Sequence, residues 1–319
     1  MRTLIMTVLL TVALGCTSSS GGGGGGGFAG GASSSSGGSS SGGGGNACGQ
    51  IASAVCSKMF GCVDLLSIPW FGDKATCENR YKLSCEKKMG LPDIGPTFTS
   101  SMQTCAAKLS GGCEAMLDPS VLKCLSPAGI RSNGNACSGN VQCKSAFCKK
   151  QAGEDCGVCG PKVSAGSDCG DDNDACDGNL SCIAGKCGSA TIVKGGEACD
   201  GKTKVCGFGL GCVGNVCKKQ GEGGDACDPT HKHADCRLAD KLLYCKADAK
   251  TCAKLAVADP GGDCSDGATI CKGGVCKSGT CKKLAGDGED CDESAGKQCM
   301  VPAKCVKGIC TLPSASKCN

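Results

Sequence analysis

Aromatic rings and histidine are the scarce commodities of this chain. Six Phe, two Tyr and one Trp in 319 residues cannot fill the single ring-rich core that an ordinary enzyme domain of this length builds. With two histidines, His231 and His233 in DPTHKHADC, a Ser or Cys nucleophile would have only these to serve as its base. No apolar run reaches the ~20 residues that span a bilayer. Charge of one sign is also missing: the net is +4, with Lys and Asp/Glu interspersed along the length. That pattern argues against the clustered basic surface of a nucleic-acid binder.

What is abundant is cysteine, 35 residues of it, together with 54 Gly. Such density signals a disulfide scaffold in an oxidising compartment, because cytosolic thiols are held reduced. The N-terminus agrees: MRTLIMTVLLTVALGC carries Arg2 and then an apolar run from Leu4 to Leu14, which reads as a signal peptide over residues 1–15. Ala13-Leu14-Gly15-Cys16 resembles the lipobox of bacterial lipoproteins, with Ala and Leu in swapped order. The resemblance implies acylation of Cys16, and Thr17 in place of Asp implies sorting to the outer membrane. The alternative is an ordinary signal peptide with Cys16 an incidental thiol. Residues 17–45 form a Gly/Ser tract without apolar periodicity, a flexible tether of roughly 30 Å reach. Gly38-Ser39-Ser40-Ser41-Gly42 matches GxSxG by chance, since no strand or helix flanks it.

Residues 46–124 have another texture and hold five of the nine aromatic residues, Phe60, Trp70, Phe71, Tyr81 and Phe98. Three segments show helical period, through Cys48, Ile51, Ala52, Val55 and Met59, through Cys77, Tyr81, Cys85 and Met89, and through Met102, Cys105, Ala106 and Leu109. Asp73 is the expected N-cap of the second and Gly90 its stop; Gly111-Gly112 is expected to end the third. Cys48/Cys56, Cys77/Cys85 and Cys105/Cys113 are each eight apart. Eight helical residues rise ~12 Å, too far for a disulfide, so these cysteines must pair with others. With Cys62 and Cys124 they predict a small helical bundle cross-braced by up to four bridges. IPWFGD is read either as a candidate binding loop around Trp70 and Phe71 or as core filler.

From residue 125 to 319 a repeat takes over. Cys169, Cys176, Cys182 and Cys187 have the spacing of Cys199, Cys206, Cys212 and Cys217; further copies start at Cys137, Cys227, Cys264 and Cys291. Units of ~30 residues bury too little to stand alone and must be stapled. Gly185, Gly214, Gly279 and Gly308 fall between the last two Cys of their copies, where a tight turn needs positive φ. Each copy is therefore expected to be a small hairpin with two bridges. Closing about a dozen residues contributes roughly 2–3 kcal/mol per bridge. Four Cys allow three connectivities, of which the interlocked first-to-third, second-to-fourth order is preferred. The fold class is small and disulfide-rich: an N-terminal disulfide-braced helical bundle followed by an array of small irregular or β-hairpin Cys-rich repeats.

Residues 137–187, with three spaced Cys, the CxxC of Cys156 and Cys159, and a final cluster ending CIAGKC, resemble the Dickkopf N-terminal cysteine-rich domain. The family has ten Cys with an adjacent pair, whereas this segment has nine and no Cys-Cys, so one partner is missing locally. The animal members are secreted antagonists of a developmental receptor pathway, an activity that the rest of this chain does not invite. A helical head followed by such repeats also looks like a group of uncharacterised exported bacterial proteins. Setting Cys16 aside leaves an even number of cysteines. The repeats then hold five, four, four, four, four and five, so some bridge must cross a repeat boundary, or Cys318 closes on an earlier module.

Metal and catalytic readings are weaker. Zinc sites want paired CxxC knuckles, and one CxxC occurs. His231 and His233 in a polar loop read as solvated surface. Asp172, Asp174 and Asp177 resemble a calcium loop without its alternation and terminal Glu. Cys156-Gly157-Val158-Cys159 lacks the βαβ setting of a thiol oxidoreductase. The expectation is thus a lipid-anchored structural or ligand-binding protein, adhesin- or receptor-like, at the outer membrane or cell surface. It would hold the membrane through its lipid and an unidentified protein or glycan through its body, with no catalytic residues, metal, cofactor or nucleic acid. The alternative is an extracellular enzyme, or an inhibitor of external enzymes, that uses the helical head or a repeat loop. An exposed Trp70/Phe71 patch would favour that alternative, and a stiff rod of repeats the structural role.

Overall fold

The computed structural model describes residues 44–150, 156–169, 175–177, 180–231, 235–312 and 318. The signal peptide, Cys16 and the Gly/Ser tract up to residue 43 lie outside these residues, as do Asp172, Asp174 and His233; Gly44 and Gly45, read as the end of the tether, begin the first helix instead. The chain is cysteine-rich and disulfide-bonded, with an N-terminal helical region followed by many small β-hairpins.

The helical region comprises α1 (Gly44–Cys62), α2 (Asp64–Phe71), α3 (Lys74–Met89), α4 (Phe98–Lys108), a 3-10 turn over Cys113–Leu117 and α5 (Pro119–Leu125). Helix α1 buries Ala47, Cys48, Ile51, Ala52, Val55 and Cys56, a stripe at helical spacing. It lies against both α3 and α4, around a core shared with Phe98, Met102, Leu109, Met116 and Val121. Asp73 caps α3, its carboxylate accepting from the Thr76 N–H at 2.8 Å. Gly90 ends α3 by donating to Glu86 O, and Lys87 and Lys88 in the last turn complement the helix dipole.

Two bridges set the register of α1 against α3. Cys48 bonds Cys85 and Cys56 bonds Cys77, with Cα separations of 5.5 and 5.9 Å. Eight residues down one helix match eight residues up the other, so the pair runs antiparallel. Cys62 bonds Cys113 and Cys105 bonds Cys124, which fastens the 3-10 turn and α5 to the rest.

The hairpins follow one plan. Beyond β1 (Ala136–Cys137), β2 (Cys148–Lys150) and β3 (Gly157–Cys159), paired in the order β1-β3-β2, come five two-stranded antiparallel hairpins: β4/β5 (Ser181–Ile183, Lys186–Gly188), β8/β9 (Leu210–Val213, Val216–Lys219), β10/β11 (Leu243–Lys246, Thr251–Lys254), β14/β15 (Gly274–Lys277, Thr280–Lys283) and β16/β17 (Lys304–Val306, Ile309–Thr311). In each of the five, the third and fourth cysteines sit directly opposite, as Cys182 does to Cys187 and Cys212 to Cys217. Their bonds nonetheless run elsewhere, first to third and second to fourth: Cys169–Cys182 with Cys176–Cys187, Cys199–Cys212 with Cys206–Cys217, and likewise onward. Four of the turns have two central residues of positive φ, including Ala184-Gly185 and Lys307-Gly308, the type I′ geometry that matches strand twist.

Upstream of each hairpin a second constraint recurs. Gly134, Gly166, Gly196, Gly224, Gly261 and Gly288 stand three residues before the first cysteine of their copies, all at positive φ. Each donates its N–H at 2.8 Å to the carbonyl of the last cysteine, from Cys159 in the first copy to Cys310 in the last. Three residues earlier still, the chain pairs in parallel with the second cysteine, through β6 (Thr191–Val193) with β7 (Lys204–Cys206), β12 (Ala256–Ala258) with β13 (Thr269–Cys271), and single bridges such as Val163 to Cys176.

The hairpins do not extend away as a rod; they return to the helices. In the first copy Val141 enters the helical core, Gln142 donates to Pro92 O at 2.9 Å and Arg131 pairs with Asp93 at 2.9 Å. The turn before β14 reaches α2, where Gly273 N–H donates to Ile68 O at 2.8 Å. Gly72 and Gly273 approach so closely that a Cβ on either would lie about 3.4–3.6 Å from the other's backbone. In the last copy Asp287 takes a two-pronged grip from Arg80, at 2.7 Å for each bond, and Arg80 also donates to Val301 O and Met300 O.

Candidate functional site

Trp70 and Phe71 are not a loop. They form the C-terminal turn of α2, which contains Pro69 and stops at Gly72, φ 78°. Phe71 is buried with Cys56, Cys77 and Val301, and Trp70 is half-buried against the same group. The loop is corrected to a helical turn, and Phe71 packs as the core-filler alternative has it, while Trp70 keeps part of its surface open. Tyr81 of α3 meets Phe71 at 5.9 Å between ring centroids. Its hydroxyl is shut off from water with no hydrogen-bond partner among the described residues, and burial pushes the phenol well above its usual range.

Asp64, the first residue of α2, has one carboxylate oxygen in the same condition. Burial first, and then the nearby Asp240 charge, raise this carboxyl above the ordinary range, while Lys241 and Lys254 oppose the shift. Asp240 lies in α6 (Leu238–Lys241), beside Arg237, whose guanidinium binds Asp240 and Glu222. Those bonds hold Arg237 more firmly charged.

His231 ends a 3-10 turn, half-buried. Its Nδ1 lies 2.9 Å from Asp235 Oδ2, and its Nε2 is 3.8 Å from Asp228 Oδ2. Asp228 is held below the usual carboxylate range by the Thr230 N–H and hydroxyl. His231 thus joins a polar turn, in which Asp235 also accepts the Asp228 N–H at 2.8 Å; no serine or cysteine nucleophile shares it among these contacts. Cys156 and Cys159 do not bond each other. Cys159 pairs with Cys143, and Cys156 with Cys318.

Several cysteine triplets bring their sulfurs within 4.8 Å, for example Cys137, Cys143 and Cys148, or Cys264, Cys271 and Cys281. Each triplet belongs to two crossed bridges, so its sulfurs are disulfide sulfurs and lack the negative charge of a thiolate ligand. All sixteen cysteines singled out individually in the sequence, from Cys48 to Cys124 and from Cys169 to Cys217, sit in bridges. What sequence reasoning missed is α2 and the contacts of Arg80. Arg80 is one polar residue on a helix otherwise read by its apolar period, and nothing near it in sequence points to Asp287.

No family model matches the chain, and no curated protein or solved structure matches it.

Proposed function

We propose that the chain is an exported protein, lipid-anchored at Cys16 and presented on a Gly/Ser tether at the outer membrane or cell surface. Its body acts as a structural or ligand-binding element, adhesin- or receptor-like. The body is a disulfide-braced helical bundle with an array of hairpin repeats folded back on it. The observation that carries this reading is the cross-bracing: every cysteine among the described residues is bonded, and both early and late hairpins dock on the helices. A surface so held loses little conformational freedom when a partner binds, and pre-organisation of that kind favours recognition.

Two measurements test it. The intact mass of the mature chain should begin at Cys16 and carry acyl groups; a mass beginning elsewhere, without lipid, removes the anchor. Immobilised oxidised protein should retain a protein or glycan from envelope extracts, and that retention should vanish after the bridges are reduced. Absence of both surface attachment and capture overturns the reading.

A further inference from the structure

The third hairpin copy, residues 190–220, carries an excess of one charge. It holds five lysines, Lys194, Lys202, Lys204, Lys218 and Lys219, against two acidic residues, Glu197 and Asp200. All five lysines are exposed. No carboxylate among the described residues forms an ion pair with any of them, whereas Lys186, Lys246 and Lys272 of other copies each have an aspartate partner. The two acids of the copy are turned to the backbone instead. Glu197 Oε2 accepts the Lys194 N–H at 2.6 Å, and Asp200 accepts the N–H groups of Lys202, Thr203 and Lys204 at 2.7, 2.8 and 2.9 Å.

Beside these cations stands an uncovered aliphatic side chain. Ile192, in the middle of β6, is 43% exposed and pairs with Val205 of β7, the neighbour of Lys204. Its Cγ2 lies 3.7 Å from where a Cβ on Gly207 would stand. Gly207 O accepts the Leu210 N–H, and Leu210 lies opposite Lys219 across β8 and β9. Ile192 and the lysines thus share one small module, stapled by Cys199–Cys212 and Cys206–Cys217. Phe208 packs against the helical core and fixes that module on the body.

An open aliphatic side chain among unpaired lysines fits the interfacial layer of a bilayer, where ammonium groups meet anionic headgroups and an apolar tip enters the acyl boundary. A soluble polyanion would use the lysines and leave Ile192 in water. We propose that the third copy is a membrane-facing surface, which rests on anionic lipid headgroups and lays the body against the bilayer. The proposal rests on the reading of Cys16 as the lipid anchor. A tether of roughly 30 Å reach keeps the module near the headgroups, so that weak contacts suffice.

The test uses the oxidised mature chain with Cys16→Ser, so that no acyl group contributes and the outcome is separate from that of the intact-mass measurement. Vesicles of phosphatidylcholine with about 30% phosphatidylglycerol should sediment it, with a partition coefficient at least roughly tenfold above that on phosphatidylcholine alone and falling as salt rises. Lys218→Gln with Lys219→Gln, or Lys202→Gln with Lys204→Gln, should each lower the coefficient roughly 25-fold. Ile192→Ser should lower it about threefold to tenfold. Lys87→Gln with Lys108→Gln, at exposed positions of α3 and α4, should leave it unchanged. No binding to the anionic vesicles, equal binding to both kinds, or a loss from the helix pair as large as from the third-copy pairs overturns the surface. An Ile192→Ser variant that binds as its parent does overturns it in favour of a soluble polyanion. Should that variant fail to fold, the two lysine pairs decide.

Discussion

Asp64 and Tyr81 each carry a buried polar atom with no hydrogen-bond partner among the described residues, and the two call for opposite kinds of measurement. The Asp64 carboxyl sits above the ordinary carboxylate range in the folded chain, chiefly through burial. Between its unfolded and folded values the native state binds more protons, so stability falls as pH rises through that window. Asp64→Asn is therefore expected to stabilise at neutral pH and to make no difference well below the ordinary carboxylate range; denaturant midpoints at pH 3 and pH 7 check it. A variant that destabilises equally at both values would show that Asp64 works as a helix-terminal charge instead. Tyr81→Phe removes an unpartnered buried hydroxyl and keeps the ring against Phe71, so it should be neutral or stabilising by about 0–1 kcal/mol. Gly196 illustrates what was readable. A glycine three residues before the first cysteine of a copy recurs six times in the sequence, yet its role appears only with its φ of 87° and its N–H on Cys217 O at 2.8 Å. Gly196→Ala should cost about 1–2 kcal/mol through left-handed strain alone, visible as faster hydrogen exchange at Cys217 and its neighbours.

At the scale of elements, each hairpin copy has a core made mostly of its own sulfur, as where Val193, Cys199, Cys206 and Cys217 pack with Leu210 and Cys212. Replacing Cys199, Cys206, Cys212 and Cys217 together by Ser should unfold that copy, since two bridges of roughly 2–3 kcal/mol each are lost and little apolar burial remains to compensate. Hydrogen-exchange mass spectrometry should find lost protection confined to about residues 193–219, with α1 and α3 unchanged; spreading loss would mean that the copies are not independent. Helices α1, α3 and α4 were legible from their apolar period, and α3 also from its Asp73 cap and Gly90 stop; α4 ends at Lys108 with Leu109 as its C-cap, ahead of the expected Gly111-Gly112 stop. Helix α2 was not, because Pro69, Gly72 and its short length mimic a loop, while contacts from distant residues hold it: Phe71 against Cys56, Cys77 and Val301, Leu66 against the main core, and the Gly273 N–H on Ile68 O.

For the whole molecule, the decisive contacts join residues far apart in sequence. Arg80 is nearly covered, grips Asp287 with two 2.7 Å bonds and donates to two carbonyls of the last copy. Arg80→Ala should cost about 2 kcal/mol, the range of hydrogen bonds to charged groups, and loosen the last copy from α3. The readout is a lower guanidinium midpoint with increased exchange near Met300 and Val301, while the disulfide map stays the same. The sequence by itself determined that the chain is stapled, where the copies begin, which turns need glycine, and that cysteines eight apart on a helix cannot bond each other. Those are local facts, because spacing, φ and helical rise act over a few residues. The tertiary structure alone decided that Cys48 finds Cys85, that Cys156 finds Cys318, and that the copies fold back onto the helices. Pairing over long separations depends on which surfaces pack together, and a repeated spacing, being the same in every copy, holds no address for the partner of an odd cysteine.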